Sequence, residues 1–292
     1  MKVLITGAGG MLGIDVVAAA ERANHEVVAL TRADLDITDQ AAVDATFALE
    51  FPQAVINCAA YTAVDLAESE PEAAMLVNAT GAGYVATAAA AINAKVVFPS
   101  TDYVFDGTKG EPYIESDETN PLSSYGASKL AGELATAVNP QHMIVRTSWL
   151  FGLDGKNFVE TMLSLGTQHG EVLVVRDQIG APTYTRDLAD ALVALLDTAA
   201  FGLHHITGAG ECSWWDFAVE IFRQSGIECN VMSGTTELLG KPAPRPAYSV
   251  LASARPGALT LPRWDHGLHS YLLARAEREQ PKTGTTREVK ST

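Results

Sequence analysis

Cysteine is scarce. The chain has three, Cys58, Cys212 and Cys229, with no Cys-x-x-Cys pair among them. This argues against a disulfide scaffold and predicts free thiols in a reducing cytoplasm. Basic residues are also few: 20 Lys and Arg face 35 Asp and Glu, a formal net charge of −15. That sign argues against a sequence-independent grip on nucleic acid or on an anionic membrane. It leaves room for a phosphorylated ligand, because backbone N–H groups hold phosphate without a basic surface. No run of ~18 apolar residues occurs, so no membrane span is expected. The opening MKVLITGAGG reads as a strand and a glycine turn, so no signal peptide is expected either. Metal-ligand spacing is missing too. His204 and His205 are adjacent, a pattern of half-burial on a strand rather than of ligation.

What is present is an ordinary globular composition, 47% hydrophobic and 19% charged over 292 residues. The length suits one large domain, or one domain and a small cap. KVLIT, EVVAL, AVINCAA, KVVFPST and HMIVRTSWLFG read as strands. Between them lie helical patterns, among them one long Ala-rich helix, EAAMLVNATGAGYVATAAAAIN. The strands are β-branched without strict polar alternation, which predicts a parallel sheet covered on both faces. The expected fold is α/β, a Rossmann-type doubly wound parallel sheet with a smaller C-terminal substrate-binding lobe. The expected division is 1–152 for the dinucleotide-binding domain, joined by some later elements, and 153–276 for the lobe. Residues 277–292 have almost no apolar side chains and are expected to form a disordered tail. Trp214 and Trp215 open an amphipathic helix and read as core packing.

TGAGGMLG places Gly7, Gly10 and Gly13 after the first strand and at the start of a helix. In that context Gly7 makes a tight turn, Gly10 admits a pyrophosphate to the backbone, and Gly13 lets the helix pack on the strand. The N–H groups near Met11 and Leu12 then face the phosphates, helped by the helix dipole. At the end of the second strand stands Thr31-Arg32 rather than an acidic residue. An arginine there accepts a ribose 2′-phosphate, which favours NADPH and leaves NADH possible. Arg32 can instead stack on the adenine or face solvent. Asp36 and Ile37 can flank the adenine, while Asp36 and Asp39 compete to cap the next helix.

Tyr125 and Lys129 sit four positions apart in SSYGASKLAGE, one turn of a helix. Chance alone supplies roughly 0.2 such pairs in a chain of this composition. Position gives the pair its meaning, because it lies between PSTDYVFDG and TSWLFG, both at strand ends. Ligands of doubly wound sheets bind at those ends. Thr101, Tyr125 and Lys129 can therefore converge beside the glycine loop. Reduction of a carbonyl needs a hydride donor and a proton donor. A lysine ammonium one turn away is expected to favour the phenolate of Tyr125 and to hold ribose hydroxyls. Thr101 can hydrogen-bond the carbonyl oxygen as charge grows on it.

TGAGGMLG, PSTDYVFDG and YGASK together resemble the extended short-chain dehydrogenase/reductase superfamily. A finer resemblance is to the dTDP-4-dehydrorhamnose reductase family. It rests on VINCAAYTAVDLAESEPEAAMLVNATG, NPLSSYGASKLAGE, RTSWLFG, GKNFVETML, DQIGAPTYTRDLAD and RPAYSVL, and it covers residues 1 to about 253. The resemblance implies pyrophosphate contacts from Gly7, Gly10, Met11, Leu12 and Gly13. It implies an adenosine site of Arg32, Asp36 and Ile37. Further cofactor contacts fall to Cys58, Ala59, Ala60, Tyr61, Thr62 and Pro99, with Tyr125 and Lys129. The sugar falls to Val64, Thr101, Asp102, Tyr103 and Trp149. Arg245 either pairs with the diphosphate or closes a loop, and Trp149 either flanks the sugar or packs in the core.

The implied reaction is NAD(P)H-dependent reduction at C4 of dTDP-4-dehydro-β-L-rhamnose, with Tyr125 as proton donor. Some members bind Mg²⁺ at a dimer contact. The matching positions are Asp15 and Arg186, and an arginine there opposes a cation, so no metal is expected. A monomer or a homodimer is consistent with the sequence. Two alternatives stand beside this reading. One is another sugar-nucleotide 4-ketoreductase or epimerase of the superfamily. The other is a non-catalytic regulatory subunit of the kind that binds methionine adenosyltransferase.

Overall fold

The computed structural model describes residues 1–279 of the chain. β1 (Lys2–Thr6), α1 (Met11–Arg22), β2 (Glu26–Leu30), α2 (Gln40–Glu50) and β3 (Ala54–Asn57) come first. Then follow α3 (Pro71–Met75), a π-helical stretch Leu76–Gly81, α4 (Ala82–Ala91), β4 (Lys95–Thr101), α5 (Ser124–Thr136) and β5 (His142–Thr147). All pairings among these strands are parallel.

Next come β6 (Leu150–Phe151), α6 (Phe158–Gln168), β7 (Glu171–Val175), β8 (Ile179–Gly180) and β9 (Thr183–Tyr184). The chain then runs back to the main sheet through α7 (Thr185–Leu195) and β10 (Gly202–His205), which pairs in parallel with β5. It leaves again as β11 (Cys212–Ser213), α8 (Trp214–Ser225), β12 (Asn230–Gly234), α9 (Thr236–Leu239) and α10 (Trp264–Glu279).

The central sheet has the order β10-β5-β4-β3-β1-β2. Strand order reverses between β1 and β3, which is the switch point where doubly wound sheets bind ligands. Beyond β2 the chain enters the loop Thr31–Asp39 instead of a further edge strand. Alternate residues of each strand feed opposite faces, the period of two inherent to β structure. Val3, Ile5, Ile56, Val97 and Val145 pack with Val16 of α1 and with Leu188 and Leu192 of α7. Leu4, Val55 and Val96 pack on the other face with Phe47 of α2 and with Val85 and Ala89 of α4.

The smaller lobe has its own aromatic core. Phe151, Tyr184, Phe217, Trp264 and Tyr271 are buried together with Val172 and Val174 of β7. α8 is entered through a reciprocal capping box between Ser213 and Asp216.

Three sequence expectations are corrected. The Ala-rich segment is not one uniform α-helix, because Leu76–Gly81 winds as π-helix between α3 and α4. The fifth strand does not run on to Gly152. It stops at Thr147, and Trp149 takes a left-handed φ of 49° before β6. The tail does not begin at Glu277. α10 continues to Glu279 because Arg275 pairs with Glu160 at 2.7 Å and Arg278 with Asp154 at 2.9 Å. Charge pairing holds this last turn where apolar residues are lacking. The remainder of the expected tail, 280–292, lies outside the described residues. Among the described residues no helix is long and apolar enough to cross a membrane.

Candidate active site

The carboxyl ends of β1, β2 and β3 enclose a cleft of about 460 Å³. Gly7, Gly9, Gly10, Thr31, Arg32, Ala33, Leu35, Asp36, Ile37, Cys58, Ala59, Ala60, Tyr61 and Val77 line it. Gly7 has φ +62°, and a Cβ there would sit 2.6 Å from the Ala59 nitrogen. Only glycine fits both demands. A Cβ on Gly13 would overlap the Gly7 carbonyl, so helix and turn touch backbone to backbone. α1 starts at Gly10 with no side-chain cap and no acidic residue in its first turn. The N–H groups of Met11, Leu12 and Gly13 at that end suit an anionic ligand.

The end of the cleft formed by Thr31–Asp39 takes its shape from two acidic turns. Asp34 accepts from the Thr31 nitrogen at 2.9 Å and from its hydroxyl at 2.6 Å. Asp36 accepts from the nitrogen and hydroxyl of Thr38, which holds its carboxyl below the usual range. Asp39, not Asp36, caps α2, accepting from the Ala42 nitrogen at 3.1 Å. Arg32 is exposed at the cleft edge.

One residue that sequence reasoning missed ties this cleft to α5, the helix that carries Tyr125 and Lys129. Asn78 is buried in the π-helical stretch. Its Oδ1 accepts from the Tyr61 nitrogen at 2.8 Å, and its Nδ2 donates to the Tyr61 carbonyl at 3.0 Å. Nδ2 also donates to Ser128 Oγ at 2.9 Å, and Ser128 Oγ donates to the Tyr125 carbonyl at 2.8 Å. The loop after β3 and the start of α5 are thereby locked in register. Gly9, Thr31, Ala33, Leu35 and Val77 line the cleft without having been assigned to it. Gly9 stands within the glycine run and Thr31 beside Arg32, but Ala33, Leu35 and Val77 carry no sequence signal of their own.

α5 is capped by Ser123, which accepts from the Gly126 nitrogen. Tyr125 and Lys129 share the face that looks toward β4. Lys129 is buried, and its Nζ donates to the Pro99 carbonyl at 2.7 Å and lies 4.0 Å from the centroid of the Phe98 ring. Burial lowers its pKa to about 8, partly opposed by the charge of Glu133. Tyr125 meets Tyr103 edge to face at 5.9 Å.

In this structure the Tyr125 phenol is shifted in the direction opposite to the one expected from the lysine. Burial and the nearby Asp102 push the Tyr125 phenol up to about 12, and Thr101 offsets this only in part. With the ammonium drawn to the Pro99 carbonyl, desolvation of the phenol dominates.

Thr101 is buried at the end of β4, and its hydroxyl accepts from the Tyr103 nitrogen at 3.2 Å. Asp102 is buried with both oxygens engaged. Oδ1 accepts from Thr101 at 3.1 Å and Oδ2 from Ser249 at 2.5 Å. Burial raises its pKa to about 7. Arg245 donates to Asp65 at 3.0 Å and to the Ala243 carbonyl at 2.8 Å, and its charge also bears on Tyr103. Val64 is half-buried and Thr62 exposed on the loop after β3. Trp149 is half-buried and stacked on Trp214. His204 and His205 are buried on β10 and bond backbone carbonyls. Asp15 accepts from Thr185 at 2.5 Å and lies near the carboxylate of Asp154 and the guanidinium of Arg186, with burial the main cause of its raised pKa.

Sheet order, glycine loop and Tyr–Lys helix together define an extended short-chain dehydrogenase/reductase. A family model described as the RmlD substrate binding domain matches residues 1–276. The chain belongs to that family. It is 46% identical over 260 residues to a dTDP-4-dehydrorhamnose reductase of Streptomyces griseus, covering 86% of each chain. It is also similar to the crystal structure of a dTDP-4-dehydrorhamnose reductase from Clostridium acetobutylicum. There the TM-score is 0.91 and the identity 47%, covering 94% of this chain and 99% of that one. A Bacillus anthracis dTDP-4-dehydrorhamnose reductase in complex with NADP gives a TM-score of 0.90 at 40% identity, with the same coverage of both chains.

Proposed function

We propose that this chain reduces the C4 keto group of dTDP-4-dehydro-β-L-rhamnose with NADPH, yielding dTDP-β-L-rhamnose. The observation that carries the reading is the meeting of Thr101, Tyr125 and Lys129 beside the glycine cleft in a chain of this family. Bound NADPH supplies the hydride.

The chain's own residues do the rest. The N–H groups of Met11, Leu12 and Gly13 receive the pyrophosphate. Lys129, one turn from Tyr125, holds ribose hydroxyls with its ammonium. Tyr125 gives its proton to the C4 oxygen. A phenol whose pKa is about 12 is protonated at neutral pH, so it stands ready as an acid. Thr101 donates to the same oxygen as negative charge develops on it. The lobe of 153–276, apart from the elements that return to the sheet, receives the sugar nucleotide. We place the protein in the cytoplasm, where such a substrate is made.

The choice of NADPH rests on Arg32. The neighbouring carboxylate, Asp34, is turned toward Thr31, whose nitrogen and hydroxyl both donate to its Oδ2. Arg32 is free to meet a 2′-phosphate. The Arg32→Ala variant is expected to weaken NADPH binding about tenfold and NADH binding little. Equal losses for the two cofactors would refute the role. The reading as a whole is tested by mixing the purified protein with the keto sugar nucleotide and each reduced cofactor. Nicotinamide absorbance should fall with NADPH. No consumption of either cofactor sinks the reading.

A further inference from the structure

Trp149 is held tightly at the end of the main sheet. It lies two residues beyond Thr147, the register partner of Thr101 across β4 and β5. Its backbone has φ 49°, a conformation that a bulky L-residue adopts only when its surroundings over-determine it. Three neighbours do so. The Trp149 carbonyl accepts from the Thr183 nitrogen at 3.2 Å. Its indole stacks on Trp214, with centroids 3.6 Å apart and planes 8° from parallel. Gly180 leaves room at its edge, since a Cβ there would sit 2.5 Å from indole Cε2.

Trp214 is itself fixed. Its Nε1 donates to Gln178 Oε1 at 3.2 Å, and Gln178 Nε2 donates to Thr236 Oγ1 at 2.8 Å. On the side of the lobe core, Phe158 lies 4.5 Å from its centroid. The stack is thus anchored in the smaller lobe, yet it reaches the end of the main sheet.

We infer that Trp214 is a positioning residue for the sugar site. It holds Trp149 so that the indole presents a flat apolar wall to one face of the deoxy-sugar ring. Gly180 is the second element of the same device. The inference rests on the sugar-nucleotide reading above. It assigns to Trp214 and Gly180 a role in substrate selection that core packing alone does not give.

Two readouts test it. Stacked indoles produce an exciton couplet in circular dichroism, and Trp214→Leu should abolish it. The same variant should raise the KM for dTDP-4-dehydro-β-L-rhamnose about tenfold, the loss of one held aromatic wall, with the KM for NADPH within twofold of wild type. Trp214→Phe should restore most of the KM, because a smaller ring still buttresses the indole. Gly180→Ala should raise the same KM by pushing on the edge of the indole. A lost couplet with an unmoved sugar KM overturns the inference. So does an equal rise in both KM values, which reduces Trp214 to a packing residue. The two failures separate: a wild-type protein that does not turn over this substrate removes the function reading, and the sugar role with it. Turnover in the wild type with an unmoved KM in Trp214→Leu removes the positioning role alone.

Discussion

Tyr125→Phe is expected to lower kcat roughly 10²–10⁴-fold, about 3–5 kcal/mol of lost transition-state stabilisation. Phenylalanine keeps the ring that meets Tyr103 and removes only the hydroxyl. The glycine turn and Lys129 are untouched, so the affinity for NADPH should stay near wild type. Steady-state turnover and a direct titration of reduced nicotinamide fluorescence separate these effects. A fall in kcat of less than tenfold would remove Tyr125 as the proton donor.

The pH dependence has a worked sign. Tyr125, pushed up to about 12, stays protonated across the neutral range and sets no limb there. Lys129, lowered to about 8 by burial, is an ammonium below that pH and loses its charge above it. If the ammonium is what holds the ribose, turnover in the wild type falls as pH rises through about 8.

The features that were legible in the sequence are those imposed by backbone geometry. Gly7 must turn with positive φ and Gly13 must touch the turn, so glycine is required and its spacing shows. The buried strands advertise themselves through continuous apolar runs. Tyr125 and Lys129 were readable because four positions make one helical turn. What stayed hidden depends on residues far apart in the chain. Asp102 meets Ser249 across 147 positions, and Asn78 meets Ser128 across 50. An asparagine in an Ala-rich helix carries no pattern that announces a π-turn or a clamp. The direction of the Tyr125 shift was misjudged for the same reason. Spacing gave the lysine's proximity, but only the folded environment gives the desolvation and the Pro99 carbonyl that accepts a hydrogen bond from its ammonium. The left-handed Trp149 was equally invisible, because nothing local in RTSWLFG asks for it.

Glu133 on α5 and Arg146 on β5 form a buried ion pair. Arg146 donates to both oxygens of Glu133, from Nε at 2.9 Å and Nη2 at 2.7 Å, and Ser100 adds a bond at 2.5 Å. The guanidinium also lies 5.0 Å from the centroid of Phe105. Glu133→Ala leaves that guanidinium buried without a counter-charge, and the expected cost is about 3–5 kcal/mol of folding stability, read by chemical denaturation.

The same change should reach the active site. Glu133 stands one turn beyond Lys129 and is the largest influence holding up the ammonium's pKa against burial. Without it the pKa of Lys129 drops further, and the alkaline limb of turnover moves to lower pH. Packing and charge are then separated by Glu133→Leu combined with Arg146→Met. No charge is left unpaired in that double variant, so most of the stability should return. The alkaline limb should remain displaced, because the negative charge near Lys129 is still gone. A double variant that recovers both stability and the wild-type pH profile would mean that Glu133 serves the fold alone. Recovery of stability without the profile would assign the carboxylate to Lys129 as well.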